Sequence, residues 1–138
     1  MRIKYQIACP VHDLLDVAAA RRNARRCAQE AGFTAADANS VAIAISELGH
    51  NLVFHATRGG VLTISLIQRG LRIGLEIISE DDGPGIADAG LALTDNYSTR
   101  GGLGCGLAAV RRLTDEFKIS TRLGSGTYIA ARKWRLCP

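Results

Sequence analysis

The chain has 138 residues, the size of one domain, and 47% of them are hydrophobic, enough to bury a core and exclude a disordered protein. Its 17 Lys and Arg against 13 Asp and Glu leave +4, too mild and scattered for a nucleic-acid binder, and its few aromatics make no stacking platform for single strands. No apolar run nears the roughly 20 residues that span a bilayer, and no secretion signal opens the chain, so one cytoplasmic domain over 1–138, away from membranes, is expected.

Ile3, Tyr5, Ile7 and Cys9 alternate, which predicts a strand over 2–9 with one buried side. Asp13 opens a helix to about Ala31, with Leu14, Val17, Ala18 and Arg21 at helical spacing and Gly32 as its stop. Arg21, Arg22, Arg25 and Arg26 then form a basic run that reads as a solvated helix face. Thr34, with Asp37 three residues on, caps a second helix carrying Val41, Ile43, Ala44, Leu48, Leu52 and Val53, ending near Ala56. Residues 61–67 and 71–79 read as a hairpin about Arg69-Gly70. Within 80–102 a short helix is expected around Ala87–Leu93, and a further helix runs from Leu107 to about Phe117 with Val110, Leu113 and Phe117 as its stripe. Lys118–Arg122 and Gly126–Trp134 close a last hairpin about Gly124. Helices on one face of a mixed sheet give an α/β fold, a two-layer sandwich.

Three elements carry the chemistry. Glu47 and Asn51 are four apart on a helix and share a face. The Asn oxygen is a hard neutral ligand suited to magnesium, and a carboxylate one turn earlier can align a nucleophile; a solvated polar stripe explains the pair equally well. Asp81-x-Gly83-x-Gly85 ends an apolar strand, where an aspartate can accept an exocyclic amine while glycines let backbone approach a ring; an ordinary acidic turn has the same composition. Gly101, Gly102, Gly104 and Gly106 run into a helix start, where backbone N–H groups and the helix dipole favour phosphate. The loop is neither a Walker loop nor a dinucleotide fingerprint, and flexible connectors look similar. Arg100 before it is a candidate γ-phosphate contact or an exposed loop residue.

Two other groups carry little. His50 and His55 are five apart on a helix, share no face and have no third ligand in view, so they read as structural rather than metal-binding. Cys9, Cys27, Cys105 and Cys137 show no Cys-x-x-Cys pair and no zinc spacing.

In this order the three elements resemble the Bergerat-fold, or GHKL, ATPases. Glu47 and Asn51 match the N box, Asp81, Gly83 and Gly85 the G1 box, and Gly102, Gly104 and Gly106, with Leu103 between them, the G2 box. Thr127 after Gly124-Ser125-Gly126 looks like the threonine that supports adenine binding. Ile45-Ser46-Glu47-Leu48, Tyr97-Ser98-Thr99 and Arg132-Lys133-Trp134 resemble the compact anti-sigma regulatory serine/threonine kinases, specifically the stressosome switch kinases of the RsbT type. The resemblance implies ATP and Mg2+ as cofactors, Glu47 as the catalytic residue and Asn51 as the metal ligand. It also implies a STAS-domain protein as partner, with a phosphatase or a sigma factor downstream. His55-Ala56 is closer to the RsbW group, which sequesters a sigma factor and phosphorylates its anti-anti-sigma factor; that is the alternative.

Overall fold

The computed structural model describes residues 1–86 and 105–135. In chain order these form β1 (Arg2–Val11), α1 (Leu14–Glu30), α2 (Ala35–Phe54), β2 (Gly60–Arg69), β3 (Arg72–Asp81), α3 (Cys105–Leu113), β4 (Glu116–Arg122) and β5 (Gly126–Trp134). The helix expected around Ala87–Leu93 lies outside the described residues.

The strands form one sheet in the order β1-β2-β3-β5-β4. Every pairing is antiparallel, where a mixed sheet was expected. The connection from β3 through α3 to β4 would set two parallel strands side by side, but β5 folds back between them and separates the pair. Alternation along the strands puts Leu62, Ile64, Leu75, Ile77, Ile129 and Ala131 on one face, where they join the buried residues of all three helices in one core. The opposite face keeps polar order. Arg132 Nε donates to Glu76 Oε2 at 2.8 Å, Gln6 Nε2 donates to Ser65 Oγ at 2.9 Å, and the Trp134 ring lies across Gly74 beneath Arg69 and Arg72.

Asp13 caps α1 through a full capping box with Asp16, and Gly32 follows at φ 87°. The packed face of α1 is Val17, Ala20, Ala24 and Ala28, whereas Leu14 and Leu15 in its first turn stay 51% and 80% exposed. Small residues let α1 lie close on α2: a Cβ on Gly49 would come within 2.8 Å of Val17 Cγ1. Thr34 Oγ1 caps α2 by accepting from Asp37 N–H at 3.1 Å, while the Asp37 carboxylate turns to Lys133 instead of completing a box. Expected on the packed stripe, Ile43 instead faces out at 47% exposure.

The last helix begins two residues earlier than Leu107 and ends at Leu113, so Phe117 belongs to β4. Asp115 sets the boundary. Its N–H donates to the Arg132 carbonyl and its carboxylate accepts the Trp134 N–H, which draws the chain onto β5 and out of helical geometry.

Candidate functional site

A small cleft opens between the C-terminal turn of α2, the end of β3 and the start of β5. It brings together Asn51, Asp81, Gly85 and Thr127, which are up to 76 residues apart (127 − 51). Leu52, Ala56, Ile86 and Ile129 supply apolar walls. An apolar slot with few convergent polar groups suits a flat heteroaromatic base.

Asp81 sits at the last position of β3, half-buried. Burial pushes its carboxyl above the ordinary 3.8, Asp82 beside it adds to the rise, and backbone N–H groups of Gly83 and Thr127 pull the other way. The Gly83 N–H donates to Asp81 Oδ1 at 2.8 Å, which closes the turn on the carboxylate. Both glycines of this turn are needed for space. A Cβ at Gly83 would come within 3.1 Å of Ala56 Cα, and Gly85 takes φ 78°, where a Cβ would fall 2.4 Å from the Arg122 carbonyl oxygen. The Gly124 N–H donates to the Pro84 carbonyl at 2.8 Å, so the turn is pinned to the β4–β5 hairpin.

Thr127 stands directly opposite Asp81 on the neighbouring strand. Its Oγ1 lies 2.9 Å from Thr121 Oγ1 on β4, which also accepts the Ile86 N–H at 2.9 Å. Thr121, Ser79 and Ile86 were missed in the sequence. The hairpin centred on Gly124 pairs residue 121 with residue 127, so its register held the signal for Thr121. His55, read as structural, lines the cleft.

Glu47 and Asn51 are one helical turn apart, about 6 Å along α2 at 1.5 Å per residue, and both are half-buried. Asn51 faces the cleft; Glu47 lies one turn further out against the start of α3. There a Cβ on Gly106 would sit 2.5 Å from Glu47 Oε2, so the absence of a side chain at 106 is what makes room for the carboxylate. Arg100, Gly102, Leu103 and Gly104 lie outside the described residues. Among the described residues no three His, Cys, Asp or Glu gather into a metal cluster. Asn51 sets one neutral carboxamide oxygen at the cleft, a donor of the kind a hard cation takes.

The histidine kinase-like ATPase domain model matches residues 11–133. The chain belongs to the histidine kinase-like ATPase family. Use of a nucleotide follows from that membership. Among characterised relatives of this ATPase domain, the serine/threonine-protein kinase RsbT of Bacillus subtilis is 44% identical over 119 residues, covering 86% of this chain and 89% of that protein. The anti-sigma F factor of Clostridium acetobutylicum is 29% identical, covering 77% and 76%. Solved structures share the fold at low identity. A mycobacterial sensor histidine kinase, MprB, superposes with TM-score 0.58 at 16% identity, covering 95% and 97% of the two chains. The SiaB–SiaC complex from Pseudomonas aeruginosa gives 0.57 at 15%, covering 96% and 91%. No described helix is long and apolar enough to cross a membrane.

Proposed function

We propose that this chain is an ATP-dependent serine/threonine protein kinase of the RsbT type that phosphorylates a STAS-domain partner in the cytoplasm. The observation that carries the reading is the 44% identity to RsbT across nearly the whole of both chains. The anti-sigma reading rests on a more distant relative over less of the chain. What supports the assignment of roles is the placement of Asn51, Asp81 and Thr127 around one cleft, with Glu47 one turn outside it.

Bound ATP, with its magnesium ion, supplies the γ-phosphoryl group. Asp81 and Thr127 hold the adenine edge, and Leu52, Ala56, Ile86 and Ile129 cover its faces and exclude water. The Asn51 carboxamide oxygen would hold the metal ion. Arg100, Gly102, Leu103, Gly104 and Gly106 bind the phosphates, with backbone N–H groups at the start of α3 favouring negative charge. Glu47 accepts the proton of the partner's serine or threonine hydroxyl as its oxygen bonds to phosphorus and the bond to the departing diphosphate breaks. Phosphoryl transfer demands positioning more than covalent chemistry, which a helix-borne carboxylate and carboxamide at fixed spacing provide.

The test is transfer of labelled γ-phosphate from Mg-ATP to STAS-domain proteins of the same genome. Label on one of them, lost in Glu47→Ala and Asn51→Ala, is the expected result. Equal labelling by Glu47→Ala removes Glu47 from the chemistry. ATP binding with no transfer, alongside nucleotide-sensitive capture of a sigma factor, would favour the anti-sigma reading.

A further inference from the structure

The outer face of α2 carries two large apolar side chains that the core leaves in water. Ile43 is 47% exposed and Phe54 62%, whereas Val41, Ile45, Leu48 and Leu52 of the same helix are buried. At 3.6 residues per turn, Ile43, Glu47, His50 and Phe54 fall within about 60° of arc, with Ile43 about 6 Å before Glu47 along the axis and Phe54 about 10 Å beyond it. The helix α1 flanks α2 on one side, through Val17 on Gly49 and Arg25 on Asn39. On the other side α3 flanks it, through Gly106 on Glu47. The stripe between them points away from the sheet. Phe54 also has company there, with its ring 6.1 Å from that of His50 and tilted by 53°.

Exposed apolar residues scattered singly are ordinary, but these two bracket the proposed base on one stripe. A protein hydroxyl reaches Glu47 only if the surface that bears it comes down over this face. An outward helix face is a ridge, with no walls to grip an extended peptide, so it fits a flat or concave surface of a folded protein. The rim is cationic: Arg25 Nη2 donates to Asn39 Oδ1 at 2.8 Å, one turn before Ile43, and among the described residues Arg25 pairs with no carboxylate.

We infer that Ile43 and Phe54 are docking anchors for the phospho-acceptor protein. They seat an apolar patch of the folded STAS domain, with carboxylates toward Arg25, so that its serine or threonine hydroxyl comes down on Glu47 between them. Recognition then belongs to the surface of the domain and not to the sequence around the acceptor. The inference rests on the kinase reading proposed above.

The experiment measures phosphorylation of the STAS-domain partner at saturating Mg-ATP by the unaltered protein, Ile43→Ser, Phe54→Ser and Leu71→Ser, with calorimetric titration of ATP beside it. Leu71, 92% exposed at the β2–β3 turn, is the control, because it lies at the end of the sheet away from Asp81. KM for the partner should rise about tenfold in I43S and in F54S, the loss typical of one anchoring side chain, while kcat and ATP affinity stay near wild type. L71S should match wild type throughout. A synthetic peptide spanning the acceptor residue should be phosphorylated about 100-fold less efficiently than the domain, since it lacks both anchors. An unchanged KM in I43S and F54S, or a peptide as good as the domain, overturns the docking surface and leaves the kinase reading standing. An unchanged KM with loss of a dimer in either variant does the same, and assigns the stripe to a second copy of this chain. A fall in ATP affinity that accounts for the whole loss of rate moves both residues to the nucleotide site and also overturns the inference. A wild type that phosphorylates no STAS domain overturns the kinase reading itself, and the docking surface with it.

Discussion

Gly106→Ala should separate stability from phosphoryl transfer. A Cβ there would lie 2.5 Å from Glu47 Oε2, and an ordinary contact is about 3.4 Å, so the carboxylate must retreat by about 0.9 Å. The obstacle is the far end of a flexible side chain, which turns away at a cost of about 0.5–1.5 kcal/mol. Alanine in place of glycine in a helix returns up to about 1 kcal/mol. The two largely cancel, and at roughly 4 °C per kcal/mol the melting temperature should stay within about 6 °C of wild type. Alanine also keeps the backbone N–H at the start of α3, the group proposed above to meet the phosphates. With Glu47 as the base, as proposed above, transfer depends on where its carboxylate stands, and a displacement of this size costs about 100-fold. The assay pairs calorimetric titration of ATP with the rate of phosphate transfer to the STAS partner at saturating nucleotide. Near-normal affinity with transfer down about 100-fold is expected. Transfer at the wild-type rate, or a loss of ATP affinity matching the loss of rate, would refute the reasoning.

Asp81→Asn keeps an oxygen for the Gly83 N–H and removes a half-buried charge. The folded protein holds this carboxyl above 3.8, so its ionisation disfavours folding at pH values above the raised pKa, and that cost disappears as pH falls below it. The variant should therefore melt no lower than wild type at neutral pH while losing at least about tenfold in ATP affinity, and wild-type affinity should decline on acidification before pH 3.8 is reached. Thermal denaturation and titration across pH check both. Gly49→Ala forces a methyl onto Val17 and should cost about 1–3 kcal/mol in urea unfolding, part of which Val17→Ala in the same chain recovers. Strictly additive losses in that pair would contradict the close packing of α1 on α2. Arg132→Ala leaves Glu76, only 6% exposed, without its guanidinium and should cost about 3 kcal/mol, with Glu76→Gln in the same chain restoring more than half. Chemical denaturation of the single and double variants reads this out.

The hairpins were legible because their turns are chemically explicit. Gly70 takes φ 62° and Gly124 φ 79°, and the apolar alternation on either side sets the register. Helix phase was harder to read. Large residues such as Leu14 and Ile43 weigh most in a periodicity, yet α1 packs through alanines because Gly49 brings the helices close. The end of α3 was hidden for a different reason: Asp115 binds the backbone of β5, a contact between residues distant in sequence that no local pattern contains. A strand–helix–strand connection brings parallel neighbours together unless another strand enters, and the return of β5 between β3 and β4 removes that pair and leaves the sheet antiparallel. At the candidate site, Glu47, Asn51, Asp81 and Thr127 stood out as residue types at telling spacings. The packing of Gly106 on Glu47 depends on tertiary contact and was not visible in the spacing.

The most direct test of the central claim is site mapping by mass spectrometry of a STAS-domain partner after incubation with Mg-ATP and either the wild-type chain or Glu47→Gln, at nucleotide concentrations that saturate both. One phosphorylated serine or threonine with wild type, and at least about 100-fold slower modification with Glu47→Gln at equal nucleotide occupancy, is the expected result. Modification at equal rates by the two proteins, or phosphate found on a histidine of this chain instead of a hydroxyl of the partner, would contradict it.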